Sequence, residues 1–345
     1  MSDKKTLYLS ASFVFVSLII AIFSLSIGRY SKVDFLQSVN ILLDYLFSNN
    51  TIDKTTMEYN VVMYLRLPRT IGALFIGAAL ACAGTAFQAL FSNPIASPDT
   101  LGVTHASSFG AVLAIILGFN SIIIKVSAFT MGCVVVICVY VFATRLGRGR
   151  QLTFFLLLIG MIVSSVFQSF ISIVKIAADP DNQLAQITYW LMGSFSQFTK
   201  NDVLSLVLFF IIGSLPLHLI RWRLNLLTLS DIEAYSMGVN IKALRILTLA
   251  CATLLTAVST SLTGGITWFG LIVPHIARLI VGNDFKKVLV LSSCMGAFFL
   301  LAMDIIARSI SIQEIPISIL TSLFGAPFFV AVLIKRLGIQ NDNRV

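Results

Sequence analysis

Charge is what this chain has least of. Asp, Glu, Lys and Arg make up 11% of its 345 residues, against roughly 25% in a soluble globular domain. So little charge cannot give a whole domain a water-compatible surface, which excludes a soluble protein. Histidine numbers three. His105 and His218 stand alone near the ends of apolar stretches, and His275 beside Pro274 has no acidic neighbour in the sequence. Arg278, Asp304 and Lys125 also fall near segment ends. A carrier driven by protons or sodium keeps an ionisable residue at mid-depth, so a secondary carrier would lack its working group here. The five cysteines form no C-x-x-C pair and read as small buried hydrophobes. There is no G-x-x-x-x-G-K-[ST] loop to cradle ATP phosphates, and no H-E-x-x-H or G-x-S-x-G constellation. The chain is therefore expected to be no enzyme and to hold no metal or cofactor.

Apolar residues are what it has in abundance, at 57% with a mean hydropathy of +0.94. Ten apolar segments can be drawn, at 7–27, 70–90, 101–117, 122–143, 152–174, 203–220, 246–262, 266–281, 288–306 and 315–334. Each approaches the ~20 residues that cross a hydrocarbon core as helix, and none shows the alternation of an outer-membrane barrel strand. The predicted fold is an all-α polytopic membrane bundle of about ten transmembrane helices, one transmembrane unit over residues 1–345. The first segment has no small-residue cleavage site and reads as a retained helix. An even number of crossings puts both termini on one side. Fifteen of the 24 Lys and Arg residues then fall on that side and nine on the other, so the termini are predicted to be cytoplasmic. The net charge of +9 is mostly this orientation signal and calls for no nucleic-acid partner.

Against that bias, Arg66 and Arg69 of "LRLPRT" and Arg308 fall at helix mouths on the external side. Arginine forks grip carboxylates with two bonds, which suggests a surface for an acidic partner; the rival reading is headgroup anchoring by snorkelling. On the opposite side, Ser230-Asp231-Ile232-Glu233 reads as a capping box. The short helix it opens stops at Gly238, and Asn240 can cap a second over "IKALR". Such a pair suits a docking element, and a solvated connector equally. Residues 246–281 give only 36 positions for two crossings, broken by Gly264-Gly265 and Pro274. Broken helices inside a bundle can line a pathway, though membrane helices also tolerate Gly and Pro. Gly77, Ala81 and Gly84 form a small-residue stripe suited to close helix contact. A pathway with no energy source of its own is a passive channel or one part of a machine whose motor is another polypeptide; the cytoplasmic loop favours the second.

Several of these motifs recur in order and spacing. "LRLPRT…GAALACAGTAFQALFSNPIASPDTLGVTHASSFGA", "ITYWLMGS", "EAYSMGVN", "GGITWFGLIVPHIARLIVG", "AMDIIAR" and "EIPISILTSLFGAPFFVAVL" resemble the iron-chelate and cobalamin permeases of ATP-binding-cassette (ABC) importers, from about residue 64 to 335. The resemblance implies a homodimeric (or otherwise paired) inner-membrane permease of ten helices per subunit. Two cytoplasmic ATPase subunits would dock beneath it and a periplasmic or surface-anchored substrate-binding protein outside. Arg66, Arg69 and Arg308 match the arginines that meet glutamates on the two lobes of that binding protein. Ser230, Glu233, Ala234 and Gly238 match the coupling helices that receive the ATPases. Gly77, Gly84, Asn93, Pro94, Pro274 and His275 fall in motifs that imply helix packing or pathway positions. The second crossing is implied to lie on the interface side of a central pathway, near the fifth and tenth. His105-Ala106, Ile95 and Ser318 depart from the usual pattern without disturbing it. The implied cargo is a ferric siderophore, with haem, cobalamin or molybdate as alternatives. Hydroxyls in 163–172 and 257–267 would suit a weakly binding path, or would bond back to their own helices. A proton-coupled carrier and a purely structural subunit remain as rivals.

Overall fold

The computed structural model describes residues 3–28, 30, 33–47, 53–147, 152–229, 231–311 and 313–342. Within them the regular elements are all helical. In the first half of the chain these are α1 (Asp3–Ser24), α2 (Phe35–Phe47), α3 (Met57–Asn60), α4 (Leu67–Leu90), α5 (Val103–Ile116), α6 (Ser121–Leu146) and α7 (Leu152–Ala177). In the second half they are α8 (Gln183–Leu191), α9 (Lys200–Leu219), α10 (Asp231–Ser236), α11 (Ile241–Thr263), α12 (Phe269–Val281), α13 (Phe285–Ser309) and α14 (Ile317–Asp342). Each of the ten apolar segments holds one helix. Seven helical runs are long and apolar enough to cross a membrane, and α5, α12 and the apolar part of α14 are shorter.

Four local expectations change. The stretches around 28–60 and 175–202, which hold none of the ten apolar segments, contain α2, α3 and α8. The "LRLPRT" motif does not open a helix: the helical run begins at Met57. Residues Val61–Arg66 form a widened π turn in which Leu67 N–H reaches Val62 O. Pro68 has no N–H and its ring crowds the carbonyl four residues back, and the wide turn absorbs both defects. "IKALR" is no separate helix but the start of α11, capped by Asn240 Oδ1 on Ala243 N–H at 3.0 Å. Of the cysteines, Cys138 is exposed on α6 rather than buried.

The second crossing, α4, lies at the heart of the chain, packed chiefly against α13, α11, α12 and α9. Its small residues decide this. A Cβ on Gly77 would collide with the Gly296 carbonyl of α13, and one on Gly84 with the Gly270 carbonyl of α12. Lipid tails are as apolar as leucine, so helices in a bilayer associate through such close backbone approach. Thr85 and Ser292 add a hydroxyl contact of 2.8 Å across the α4–α13 seam. The α11–α12 break is built from Gly264 (φ 76°) and a left-handed Trp268 (φ 66°). Its freed backbone groups are met from outside: Ser194 N–H donates to Thr263 O at 2.7 Å and Ser318 Oγ to Gly265 O, as bilayer-depth irregularity requires.

Candidate functional site

Helices α4 and α13 run antiparallel, and their two ends carry the two groups of residues singled out in the sequence. At one end Arg66, Arg69 and Arg308 converge on a single hollow of about 270 Å³, walled also by Gly28, Tyr30, Phe195, Phe198 and Glu314. All three arginines are buried, at 5%, 8% and 5% exposure, which is deeper than a loose external patch. Each has a distinct reason to stay. Arg69 Nε donates to Asp304 Oδ1 at 2.7 Å, and Arg69 Nη1 to both oxygens of Glu314 at 2.9 and 2.8 Å. Arg308, one turn beyond Asp304 on α13, lies 3.5 Å from Asp304 Oδ2 and donates to Ile27 O at 3.1 Å. Among the described residues Arg66 is held by backbone, donating to Leu25 O at 2.7 Å and Tyr30 O at 2.8 Å. Gly28 makes room for it, since a Cβ there would come within 3.1 Å of Arg66 Nε.

Two of the three guanidinium groups, Arg69 and Arg308, thus share the carboxylates of Asp304 and Glu314, and with Arg66 the hollow keeps an excess positive charge. A buried cation is stable only when paired or hydrogen-bonded; Arg66 and Arg69 meet that condition fully, whereas Arg308 has its approach to Asp304 and one bond to Ile27 O, its Nε and Nη2 making no hydrogen bond among the described residues. The same end carries an ion pair that explains Lys125: its Nζ lies 2.7 Å from Asp202 Oδ2, and Asp202 also closes the capping box of α9 with Thr199. Lys200, the first residue of α9, sits over the rings of Tyr45 in α2 and Tyr64 in the π turn, at 5.9 and 5.5 Å from their centroids.

The opposite end holds α10. Ser230, the expected cap, lies outside the described residues. Glu233 is exposed, Ala234 is fully buried and Gly238 is exposed in the left-handed conformation, φ 73°. Val239 N–H reaches Ala234 O at 3.4 Å and Gly238 N–H reaches Tyr235 O at 2.9 Å, the paired bonds of a Schellman ending. Tyr235 and Met237 project from it at 80% and 62% exposure.

The link between α9 and α10 is clamped to the bundle by residues that the sequence reading did not single out. Asn225, in the 3₁₀ turn Arg223–Thr228, donates from Nδ2 to Asp284 Oδ1 at 2.9 Å and accepts from Phe285 N–H at 2.9 Å. Ser92 Oγ, just past the end of α4, donates to Leu227 O at 3.1 Å. The turn under α10 is therefore tied to the last residues of α4 and the first of α13. Asn93 and Pro94 form the turn that follows α4, where Asn93 Oδ1 accepts from Ile95 N–H at 3.0 Å. Deeper in, Arg278 Nη2 donates to Gln88 Oε1 at 2.6 Å, joining α12 to α4. His275, beside Pro274 inside α12, is buried with its ring edge-on to Phe329, 5.7 Å between centroids.

The hydroxyl-rich segments separate. Thr256, Ser259, Ser261 and Thr263 of α11 are buried within this chain and bond back to their own helix. Ser165, Ser169 and Ser172 of α7 also bond back but lie on an exposed face. Only the α7 set faces outward from this chain.

Ten apolar helices with basic groups gathered in a hollow at one end and a capped surface helix at the other define a multi-pass membrane permease. The chain belongs to the FecCD transport family, whose model matches residues 16–335. It is 38% identical over 320 residues to the molybdate import system permease protein MolB of Haemophilus influenzae, covering 92% of this chain and 93% of that one. A probable iron chelatin transport system permease of Helicobacter pylori is 33% identical over 338 residues, covering 97% and 99%. A solved structure assigned to the metal-chelate type of ABC transporter, in an inward-facing conformation, superposes with a TM-score of 0.84 at 36% identity, covering 95% of this chain and 99% of that one. The fold is that of a type II ABC importer permease. This chain is the membrane-spanning part of such a transporter, and ATP hydrolysis belongs to a separate subunit.

Proposed function

We propose that the chain is one half of a homodimeric permease in a cell inner membrane, acting as a single transmembrane unit and importing a ferric siderophore or related iron chelate. Both termini lie in the cytoplasm. The observation that carries this reading is the placement of two built surfaces at opposite ends of one antiparallel helix pair. A substrate-binding protein docks its carboxylates on Arg66, Arg69 and Arg308. Two ATPase subunits grip α10, with Ser230, Glu233, Ala234 and Gly238 shaping it and Tyr235 and Met237 offering an apolar knob. Movement of α10 reaches α4 and α13 through the Asn225 clamp, and the cargo passes along the dimer axis.

Two named likenesses favour a chelated metal as cargo, the iron chelatin permease and the metal-chelate transporter. A second reading, molybdate, is favoured by the relative at 38% identity. The test is ATP-driven uptake of a radiolabelled ferric siderophore into vesicles holding the permease, its ATPase and its binding protein, with unlabelled molybdate, haem or cobalamin as competitors. Uptake that survives an uncoupler and resists molybdate supports the iron reading; displacement by molybdate transfers the assignment to the oxyanion. In the same vesicles, Arg66→Glu weakens binding-protein affinity at least about tenfold, the scale of a lost interfacial charge pair, while the permease–ATPase complex stays whole. Unchanged affinity removes the docking assignment.

A further inference from the structure

Glu314 sits in the connection between α13 and α14, in the wall of the arginine hollow, with both carboxylate oxygens on Arg69 Nη1. Its position differs from that of the other acid in the network. Asp304 is fully buried on α13 and faces Arg69 Nε on one side and Arg308 on the other. Glu314 is the outer partner: its side chain is 20% exposed against 0% for Asp304. It lies on a non-helical stretch rather than inside a helix. Asp304 keeps its 2.7 Å bond to Arg69 Nε when Glu314 leaves, although it also faces Arg308, so the freed Nη1 of Arg69 is the group that calls for an incoming carboxylate.

We propose that Glu314 is an internal competitor, a carboxylate of the permease that occupies Arg69 until a carboxylate of the docking protein displaces it. This rests on the docking assignment made above and adds the group that regulates it. An incoming acid meets Arg69 already engaged, and binding becomes an exchange of one carboxylate for another. Exchange holds down the affinity, because the competent state is only a fraction of the population and the apparent dissociation constant rises by the inverse of that fraction.

Release of Glu314 also has somewhere to go. Its connection leads directly into α14, whose first turn is bonded to the α8–α9 link by Ile317 N–H on Gly193 O at 2.9 Å. Ser318 Oγ bonds the α11–α12 break at Gly265 O, and Thr267 Oγ1 lies 3.1 Å from Ser322 Oγ. The connection itself is pinned beside Glu314 by Ile315 N–H on Ala307 O at 3.1 Å, so exchange at Arg69 acts on a short segment fastened to both α13 and α14.

The test uses the whole permease–ATPase complex in lipid nanodiscs and, as probe, the substrate-binding protein that stimulates its ATPase. Dissociation constants are measured for the wild type, Glu314→Gln, Arg69→Lys and the double variant. Glutamine keeps the shape of Glu314 and removes its charge; lysine keeps a charge for Asp304 but loses the second arm that Glu314 uses. Glu314→Gln is expected to bind about tenfold tighter, as when a blocking state held about nine-tenths of the time is removed. Arg69→Lys binds more weakly, and the gain from Glu314→Gln disappears on that background, which a merely structural glutamate would not produce. Should Glu314→Gln yield no intact complex, Glu314→Asp, with its shorter reach, is expected to tighten binding by a smaller factor. Unchanged or weaker binding by the Glu314 variants, with Arg69→Lys still impaired, overturns the competitor role and leaves docking in place. A gain that persists without Arg69 overturns it also. Affinity unmoved by Arg69→Lys removes the docking assignment and this proposal with it.

Discussion

Helices α4 and α7 are both long, apolar and free of charge through their middles, yet they live in different surroundings. Of the most apolar stretch of the run containing α4, 83% is buried inside the molecule; for α7 the share is 17%. The buried one is the less hydropathic of the two. In water the greasier helix would be expected at the centre. In a bilayer that rule lapses, because lipid solvates leucine and phenylalanine as well as a protein core does. What selects the centre is how closely a backbone can be approached. The α4 sequence "GALFIGAALACAGTA" is mostly Gly and Ala, whereas α7 reads "FFLLLIGMIV" and points Phe154, Met161 and Ile162 outward.

Substitutions can break or sharpen this contrast. Gly84→Val on α4 is expected to have the largest effect, because the new side chain meets the Gly270 backbone, which cannot swing aside as a rotamer could. A cost of about 3 kcal/mol or more, at the upper end for overpacking, should appear as loss of monodisperse protein on mild heating in detergent. An unperturbed melting profile would mean that α4 and α12 are not packed as described. The same change on α7, Gly160→Val, meets the carbonyl of Thr100. That residue lies in the short turn Pro98–Leu101, whose Asp99 and Thr100 are half-buried and which is not locked in a long helix, so a smaller cost of about 1–2 kcal/mol is expected and the protein should stay monodisperse with a lowered midpoint. Smallest is Ile162→Ala, on a side chain 55% exposed, where the midpoint should move by no more than about 0.5 kcal/mol allows. A large loss there would show that the outer face of α7 is covered in the assembled transporter, and would move α7 from the lipid boundary to an interface.

Which helix is central was legible in the sequence only in part. The stripe at Gly77 and Gly84 announced close contact, and the ten apolar segments announced the crossings. The partners of that stripe, Gly296 and Gly270, lie about two hundred positions away, and no local pattern links them. The arginines show the same division. Their conflict with the orientation bias marked Arg66, Arg69 and Arg308 as unusual. That Arg69 already holds Asp304 and Glu314, 235 and 245 residues further on, depends on folding and was invisible to motif and charge counting. Asn225 went unnoticed for a simpler reason: a lone polar residue in a connector carries no periodicity. One signal was available, the short polar turn between two apolar runs that must be anchored if α10 is to push on anything. The π turn before Pro68 was hidden because a proline near a helix start ordinarily reads as the start itself.

The meeting of Gly77 with Gly296 has a mechanical meaning. Where two helices touch through side chains, a push on one can be lost as rotamers shuffle. Here, at the crossing of Gly77 and Gly296, main chain lies on main chain. The pair should therefore tilt as a stiff lever about that crossing. A nudge delivered beneath Asn225 would then be felt as a shift of the guanidinium groups at the other end of the same pair.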